Sequence, residues 1–399
     1  PARDMAGPSR DGLPPSLLAY AFNQDATCLS VGTDQGYQIF TCEPWAAVHS
    51  ASDGGVGVLQ MLYSSSLIAL VGAGARPGDS TRRLRLWNTR TDSSVCELNF
   101  SSSILTVRMN NARLLVVLET RIHIFELSSM RLLHTLETVP NRLGLADMCP
   151  DSERCHVVLL AAGVGQVLLF DALQLRSLST LQARKSALAL LAISPCGLLI
   201  ASASDRGTVV NVHSFPQGEL LHAFRRGAMA ATIFHLAFST VVASIDGGAD
   251  AERAASSSRA APAGGPDLSP GQLACKPGTP SSSPPVCSQM LCAVASSGTV
   301  HVWSLHAQRG AVQSGKGNKE VTAGFAFISG ERAFAHAKLP AGTRAIAALR
   351  PAASYGKGHV DDMALLLVTE KGAFYHYRLN SLRGGECVLQ DERRVGVYC

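Results

Sequence analysis

Five stretches of this chain repeat one pattern: a tight turn ending in glycine, then a strand with a hydrophobic end. They are DQGYQIF at Gly36, GVGQVLLF at Gly165, DRGTVVNV at Gly207, SSGTVHVW at Gly298 and EKGAFYHY at Gly372. Glycine accepts the positive φ that tight hairpin turns require. An apolar run precedes each turn (CLSVG, VVLLAAG, LLIASAS, LCAVAS, ALLLVTE), so each unit reads as a hairpin of small-residue strands. The spacing turns the pattern into a constraint. Gly165 and Gly207 are 42 residues apart, and Gly36 and Gly165 are 129 apart, three steps of 43. Two weaker units, SSLIALVGAG…RRLRLWN and RLLVVLETRIHIFEL, fill that interval. The result is seven hairpins centred near residues 35, 80, 120, 164, 206, 297 and 371.

A period of about 40–45 residues with four short strands per unit is that of WD-repeat propeller blades. Full WD dipeptides are absent, but LRLWN and HVWSL keep the Trp and LLFDA keeps an Asp. The expected fold is all-β: a seven-bladed WD-repeat-like β-propeller over residues 17–399, after a flexible N-terminal tail at 1–16. Closing the blades into a ring leaves little exposed strand edge. Composition agrees. Hydrophobic residues make up 46% of the chain and charged ones 16%, enough to bury a core, and the 6% of aromatics favours small-residue strands over long charged helices.

Two intervals run long. Gly207 to Gly298 spans 91 residues, of which 43, at 246–288, are rich in Ala, Ser, Pro and Gly. Such a segment cannot bury a core and is expected to be a disordered insertion in blade six; without it the interval is 48, one blade. Gly298 to Gly372 spans 74 residues and contains the loop 306–330, with Arg309, Lys316 and Lys319 followed by Val321, Phe325, Phe327 and Ile328. Basic residues before apolar ones suit a membrane-surface contact, and a loop tucking its aromatics onto a blade fits the composition equally well. Residues 186–204 form a run of 19 without a charge, close to the length of a membrane span. Ser194-Pro195-Cys196-Gly197 divides it into two strand lengths, so a turn between buried strands is expected instead. The polar, proline-rich opening shows no signal peptide. The eleven cysteines include no C-x-x-C, which points to reduced thiols and not to a disulfide framework or a zinc site. These features predict a soluble, cytoplasmic protein.

No catalytic constellation is present. There is no Walker loop, G-x-S-x-G elbow or H-E-x-x-H, the histidines lack ligand spacing, and no carboxylates pair up. The expectation is a protein that is not an enzyme and needs neither metal nor cofactor. The net charge of +5 is too small for bulk nucleic-acid binding. Its distribution is uneven: between Arg176 and Arg226 six basic residues face two acidic ones, so most of the excess lies in one region. A phosphate group needs permanent positive charge and several short hydrogen-bond donors. Unit five offers Arg184, Lys185, Ser186, Ser202, Ser204, Arg206 and Thr208; unit six offers Ser296, Ser297, Thr299 and His301. Between them, in HAFRRGAM, stand Arg225 and Arg226. Adjacent strand residues point to opposite faces, so one arginine can serve each set. Seen alone, such a pair would snorkel to solvent at a blade edge.

The FRRG of the fifth unit resembles the hallmark of the autophagy-related phosphoinositide-binding propellers, the PROPPIN or WIPI family. The resemblance extends over nearly the whole chain. AFNQDATCLSVGTDQGYQIF is similar to the family's first blade, LYSSSLIALVG and RLLVVLET to its second and third, ERAFAHAKLP to the strand closing blade six, and GGECVL near Cys387 to its C-terminal segment. The resemblance implies binding of phosphatidylinositol 3-phosphate and phosphatidylinositol 3,5-bisphosphate at two sites flanking the FRRG strand. Arg225 would serve the first, with Lys185, Ser186, Ser204 and Thr208, and Arg226 the second, with Ser296, Ser297, Thr299 and His301. The loop 306–330 takes the position of a loop that inserts into the bilayer. The pattern departs at the first site, where the family usually has His at Arg184 and Arg at Asn211. Arg184 would then replace the lost charge from another angle, and the first site would be weaker or differently selective while the second stays intact. The resemblance also implies partners in the autophagy conjugation or lipid-transfer machinery, a monomeric state, and peripheral placement on preautophagosomal, endosomal or vacuolar membranes. The competing reading is a WD-repeat scaffold whose arginines bind phosphoproteins.

Overall fold

The computed structural model describes residues 16–52, 54–76, 78–240, 290–305, 331–352 and 362–395. The tail up to residue 15, the insertion at 246–288 and the loop at 306–330, with Val321, Phe325, Phe327 and Ile328, lie outside the described residues.

The described chain forms seven antiparallel sheets, each a meander of four consecutive strands with one exception. Blade one is β1 (Leu17–Phe22), β2 (Cys28–Thr33), β3 (Tyr37–Cys42) and β4 (Trp45–Ala51). Blade two is β5 (Val56–Met61), β6 (Leu67–Gly72), β7 (Arg83–Asn88) and β8 (Ser93–Asn99). Blade three is β9 (Thr106–Met109), β10 (Arg113–Val117), β11 (Arg121–Glu126) and β12 (Leu132–Glu137). Blade four is β13 (Ala146–Met148), β14 (His156–Leu160), β15 (Gln166–Asp171) and β16 (Arg176–Gln182). Blade five is β17 (Leu188–Ile193), β18 (Leu199–Ser204), β19 (Val209–Ser214) and β20 (Leu220–Arg225). Blade six is β21 (Ile233–Phe238), β22 (Met290–Ala295), β23 (Thr299–Ser304) and β24 (Ala335–Lys338). Blade seven is β25 (Ala345–Pro351), β26 (Asp362–Thr369), β27 (Ala373–Asn380) and β29 (Val388–Arg394). The exception is β28 (Gly385–Glu386), which leaves blade seven and pairs in parallel with β24, giving blade six a fifth strand.

The seven turns expected from the repeat are the turns between the second and third strands of the seven blades. The uncharged run splits as expected into β17 and β18. Ser194–Gly197 forms the turn between them, with Gly197 N–H donating to the Ser194 carbonyl at 2.8 Å. The turn after the third strand is capped repeatedly by that strand's last side chain. Asn88 Oδ1 accepts from Arg90 N–H, Asp171 Oδ1 from Leu173 N–H, and Asn380 Oδ1 from Arg383 N–H. This is the turn-forming habit of Asn and Asp, and it is the use to which the retained Asp of LLFDA is put.

Burial grades across each blade. The second strands β2 and β22 are wholly buried, while the fourth strands β4 and β29 are largely exposed. The first strand of every blade touches the first strand of the next, and β25 touches β1, so the ring closes. Seven hydrophobic clusters account for the core, one on each seam between neighbouring blades. Among the described residues, the seam between blades seven and one has no shared strand. Leu29, Val31 and Phe40 pack there on Leu366, Val368 and Phe374, Trp45 meets Phe374 with ring centroids 4.4 Å apart, and Arg350 forms an ion pair with Glu43. At the centre of the ring lies a cavity of about 450 Å³, where Arg108 Nε donates to Asp147 Oδ1 at 2.8 Å. No disulfide joins the described cysteines. Among the described residues no helix is long and apolar enough to cross a membrane.

Candidate functional site

Blade five has two faces, and the residues on each are set by alternation along β18, β19 and β20. Ala201, Ala203, Val210, Val212 and Phe224 belong to the core shared with blade six. Ile200 belongs to the core shared with blade four. Ser202, Ser204, Asn211 and Arg225 therefore face blade four, and Phe224 faces blade six. The FRRG strand thus borders two seams, one towards blade four and one towards blade six, here called grooves.

In the groove between blades four and five, the segment 184–186 crosses from one blade to the next over Gly165. That glycine is at φ +70°, and a Cβ there would sit 2.1 Å from the Arg184 carbonyl oxygen, so the close crossing needs glycine. Arg184 turns inward. Its Nη1 donates to the Ser202 carbonyl and its Nη2 to the Val209 carbonyl, both at 2.9 Å, and burial lowers its pKa. Asn211 Nδ2 donates to the Ala183 carbonyl at 3.2 Å and ties the same crossing to β19. Beside them lies His213, 4% exposed. Burial and then the Arg184 charge push its pKa down to about 4. Lys185 and Ser186 are exposed at the mouth of the groove, Thr208 is half-buried and Ser204 is buried. The half-buried Arg225 makes no side-chain hydrogen bond or ion pair with any described residue. Its backbone N–H donates to the Glu331 carbonyl at 2.9 Å.

In the groove between blades five and six, Arg226 is only 8% exposed. Its Nε donates to the Gly207 carbonyl at 2.7 Å and its Nη2 donates to the Met229 carbonyl. A Cβ at Gly207, φ +56°, would approach the Ala231 carbonyl oxygen to 2.0 Å, so this carbonyl cradle also depends on glycine. Arg226 N–H donates to the Thr208 carbonyl at 2.9 Å, which links the two grooves through one residue. Facing Arg226 is His301, whose pKa is pushed down to about 4 by burial, then by Arg226 and His336. His301 stacks on Trp303 (centroids 5.7 Å), Trp303 on Phe224 (5.3 Å) and Phe224 on His222 (5.0 Å), a four-ring stack that fixes the groove wall. Thr299 lies on the same face of β23, and Ser296 and Ser297 form the turn before it. Across the ladder, Thr299 pairs with Lys338 and His301 with His336.

The structure thus turns Ser202, Ser204, Asn211 and Arg225 towards blade four and sets Arg226 beside His301 on the side of blade six. It separates neighbours with similar chemistry: Lys185 faces solvent, while Arg184 spends two donors on carbonyls. His213, His336 and Lys338 escaped the sequence reading. The only signal for the last two was the segment ERAFAHAKLP, whose strand register could not be set without its partner. Among the described residues no cluster of His, Cys, Asp and Glu could hold a metal ion.

A family model described as PROPPIN matches residues 16–256. Autophagy-related protein 18 of Mycosarcoma maydis is 33% identical over 428 residues, covering 94% of this chain and 92% of that protein. Autophagy-related protein 21 of Pichia angusta is 39% identical over 235 residues, covering 56% of this chain and 60% of that protein. Among solved structures, a complex of KlAtg21 with the coiled coil of AgAtg16 superposes with a TM-score of 0.66 at 22% identity, covering 95% of this chain and 99% of the other. Kluyveromyces lactis Hsv2 gives 0.66 at 15% identity with the same coverage. At these identities the structural likenesses speak for the fold.

Proposed function

The chain belongs to the PROPPIN family, and from that premise we propose that it is a non-enzymatic effector that binds 3-phosphorylated inositides. The lipids are phosphatidylinositol 3-phosphate and phosphatidylinositol 3,5-bisphosphate, held in the two grooves beside the FRRG strand at the surface of preautophagosomal, endosomal or vacuolar membranes. The carrying observation is the placement of Arg225 and Arg226. They are consecutive, yet one points towards blade four with no side-chain partner among the described residues and the other is fixed by carbonyls on the side of blade six. Arg225, Lys185, Ser186, Ser204 and Thr208 make the first headgroup site. Arg184 acts on it at one remove, by holding the crossing that carries Lys185 and by its charge. Arg226, Ser296, Ser297, Thr299 and His301 make the second. Neutral His301 and the hydroxyls supply short donors around a permanently charged guanidinium. Two weak sites on one rigid ring, with the loop 306–330 as a third membrane contact, bind cooperatively because each further contact is intramolecular. The bound propeller recruits proteins of the autophagy conjugation or lipid-transfer machinery. The complex of KlAtg21 with a coiled coil supports a partner of that kind.

Vesicle flotation tests the reading. Binding should require 3-phosphoinositide, vanish for Arg225→Thr/Arg226→Thr, and fall further for Arg226→Thr than for Arg225→Thr. Unchanged binding by the double variant sinks the proposal. Vesicle-independent capture of phosphopeptides, abolished by the same double variant, would favour the phosphoprotein scaffold instead.

A further inference from the structure

The groove between blades five and six extends beyond the residues assigned to it above. Val300, Val302, Ala335 and Ala337 pack towards blade seven. Alternation then turns Thr299, His301, His336 and Lys338 towards blade five, the side on which Trp303 meets Phe224. Residues directly opposed in an antiparallel ladder have Cβ atoms about 5 Å apart. Lys338 thus lies beside Thr299, and His336 beside His301. Two residues along a strand is about 7 Å, so Lys338 stands roughly that far beyond the His301–His336 pair that adjoins Arg226. This is a second permanent cation on the side of blade five, about 7 Å along β24 from that pair.

Lys338 is not idle. Its Nζ is 3.5 Å from Glu386 Oε1, with both side chains mostly exposed. Glu386 belongs to blade seven in sequence but is carried here by β28. Gly385 N–H donates to the Phe334 carbonyl at 3.0 Å, and Cys387 N–H donates to the His336 carbonyl at 2.8 Å. Gly384, at φ +62°, makes the turn; a Cβ there would lie 2.3 Å from the Phe334 carbonyl oxygen. The backbone therefore holds a carboxylate against this lysine from a neighbouring blade. An exposed ion pair is weak, so the carboxylate is displaceable by a phosphate that is otherwise well held.

We propose that Lys338 is a specificity-determining cation of this groove, and that Glu386 is the built-in competitor that a second ligand phosphate must displace. The inference rests on the reading above that the groove takes an inositide headgroup. One phosphate is met by Arg226 and its companions; only a headgroup with a further phosphate reaches Lys338. The pair sets the ratio between the two lipids without being needed for binding itself.

The test uses the full chain carrying Arg225→Thr, so that only this groove reports. Affinity is measured for phosphatidylcholine vesicles with equal fractions of phosphatidylinositol 3-phosphate or 3,5-bisphosphate, and for soluble inositol 1,3,5-trisphosphate against inositol 1,3-bisphosphate. Glu386→Gln should raise the preference for the extra phosphate about threefold, and Lys338→Met should lower it by about as much, the scale of one exposed charge pair. The combined variant should behave as Lys338→Met. Both changes are at exposed positions and should leave thermal unfolding unaltered. A preference ratio unmoved by either variant overturns the inference while leaving the parent reading in place, provided that Arg226→Thr still abolishes binding. Effects confined to vesicles and absent with the soluble headgroups also overturn it, since Lys338 would then sense the membrane surface. Loss of no binding with Arg226→Thr would remove the parent reading and this one with it.

Discussion

His213 on β19 makes the stability of this propeller depend on pH in a calculable way. It is 4% exposed, and its Nδ1 finds no hydrogen-bond partner among the described residues. Burial, reinforced by the Arg184 guanidinium, pushes its pKa down to about 4. In an unfolded chain imidazole titrates near 6.5. As the pH falls, the unfolded chain takes up a proton at this position while the folded protein does not. The stability contributed by neutral His213 is therefore complete above about pH 6.5 and is lost as the pH falls through about 4. Between these values one site changes stability by ~1.4 kcal/mol per pH unit, and the loss reaches about 2 kcal/mol by pH 5. The perturbation is His213→Gln, which removes the titration. It also alters packing, so the difference at one pH is not the readout. Urea unfolding at pH 7, 6 and 5 should show the stabilities of variant and parent converging by about 2 kcal/mol on acidification. His235 and His301, also pushed down to about 4, steepen both curves alike and cancel from the comparison. Curves that stay parallel from pH 7 to 5 would refute the reasoning, because they would mean that folding leaves the His213 pKa unchanged.

Two further perturbations probe the seams. Arg184→Met leaves the Ser202 and Val209 carbonyls without their guanidinium donor and should cost about 1–3 kcal/mol of stability. It should lower inositide affinity less than Arg225→Met does; the reverse order, with stability untouched, would make Arg184 a direct ligand. Arg350→Met strands the mostly buried Glu43 carboxylate at the seam between blades seven and one, and should cost about 2–4 kcal/mol in urea unfolding. Glu43→Gln/Arg350→Met should be less unstable than the sum of the single changes, and strict additivity would show that the pair does not hold the ring closed.

Much of this protein is determined by short stretches of its sequence. Gly165, Gly207, Gly298 and Gly372 mark hairpins because few other residues take the positive φ of such turns. Gly36 departs from that expectation, since its φ is ordinary and glycine is needed there because a Cβ would sit 1.9 Å from the Ala51 carbonyl oxygen. Ser194–Gly197 breaks the uncharged run for the same local reason. The period of two along β20 sends Phe224 and Arg225 to opposite faces whatever surrounds them. What lies between blades could not be read this way. Arg184 and Lys185 are adjacent basic residues in a polar crossing, and only the packing of blade four on blade five sends one to buried carbonyls and the other to solvent. His336 and Lys338 enter the second groove through their register on β23, and Glu386 joins them through a strand lent by blade seven. Glu43 and Arg350 close the ring from 307 residues apart. A blade's hydrogen-bond ladder is a local object, set by alternation and turns. Each hydrophobic core here belongs to a seam and needs two blades, so the burial, pairing and charge of groups on those seams exist only once the ring has assembled.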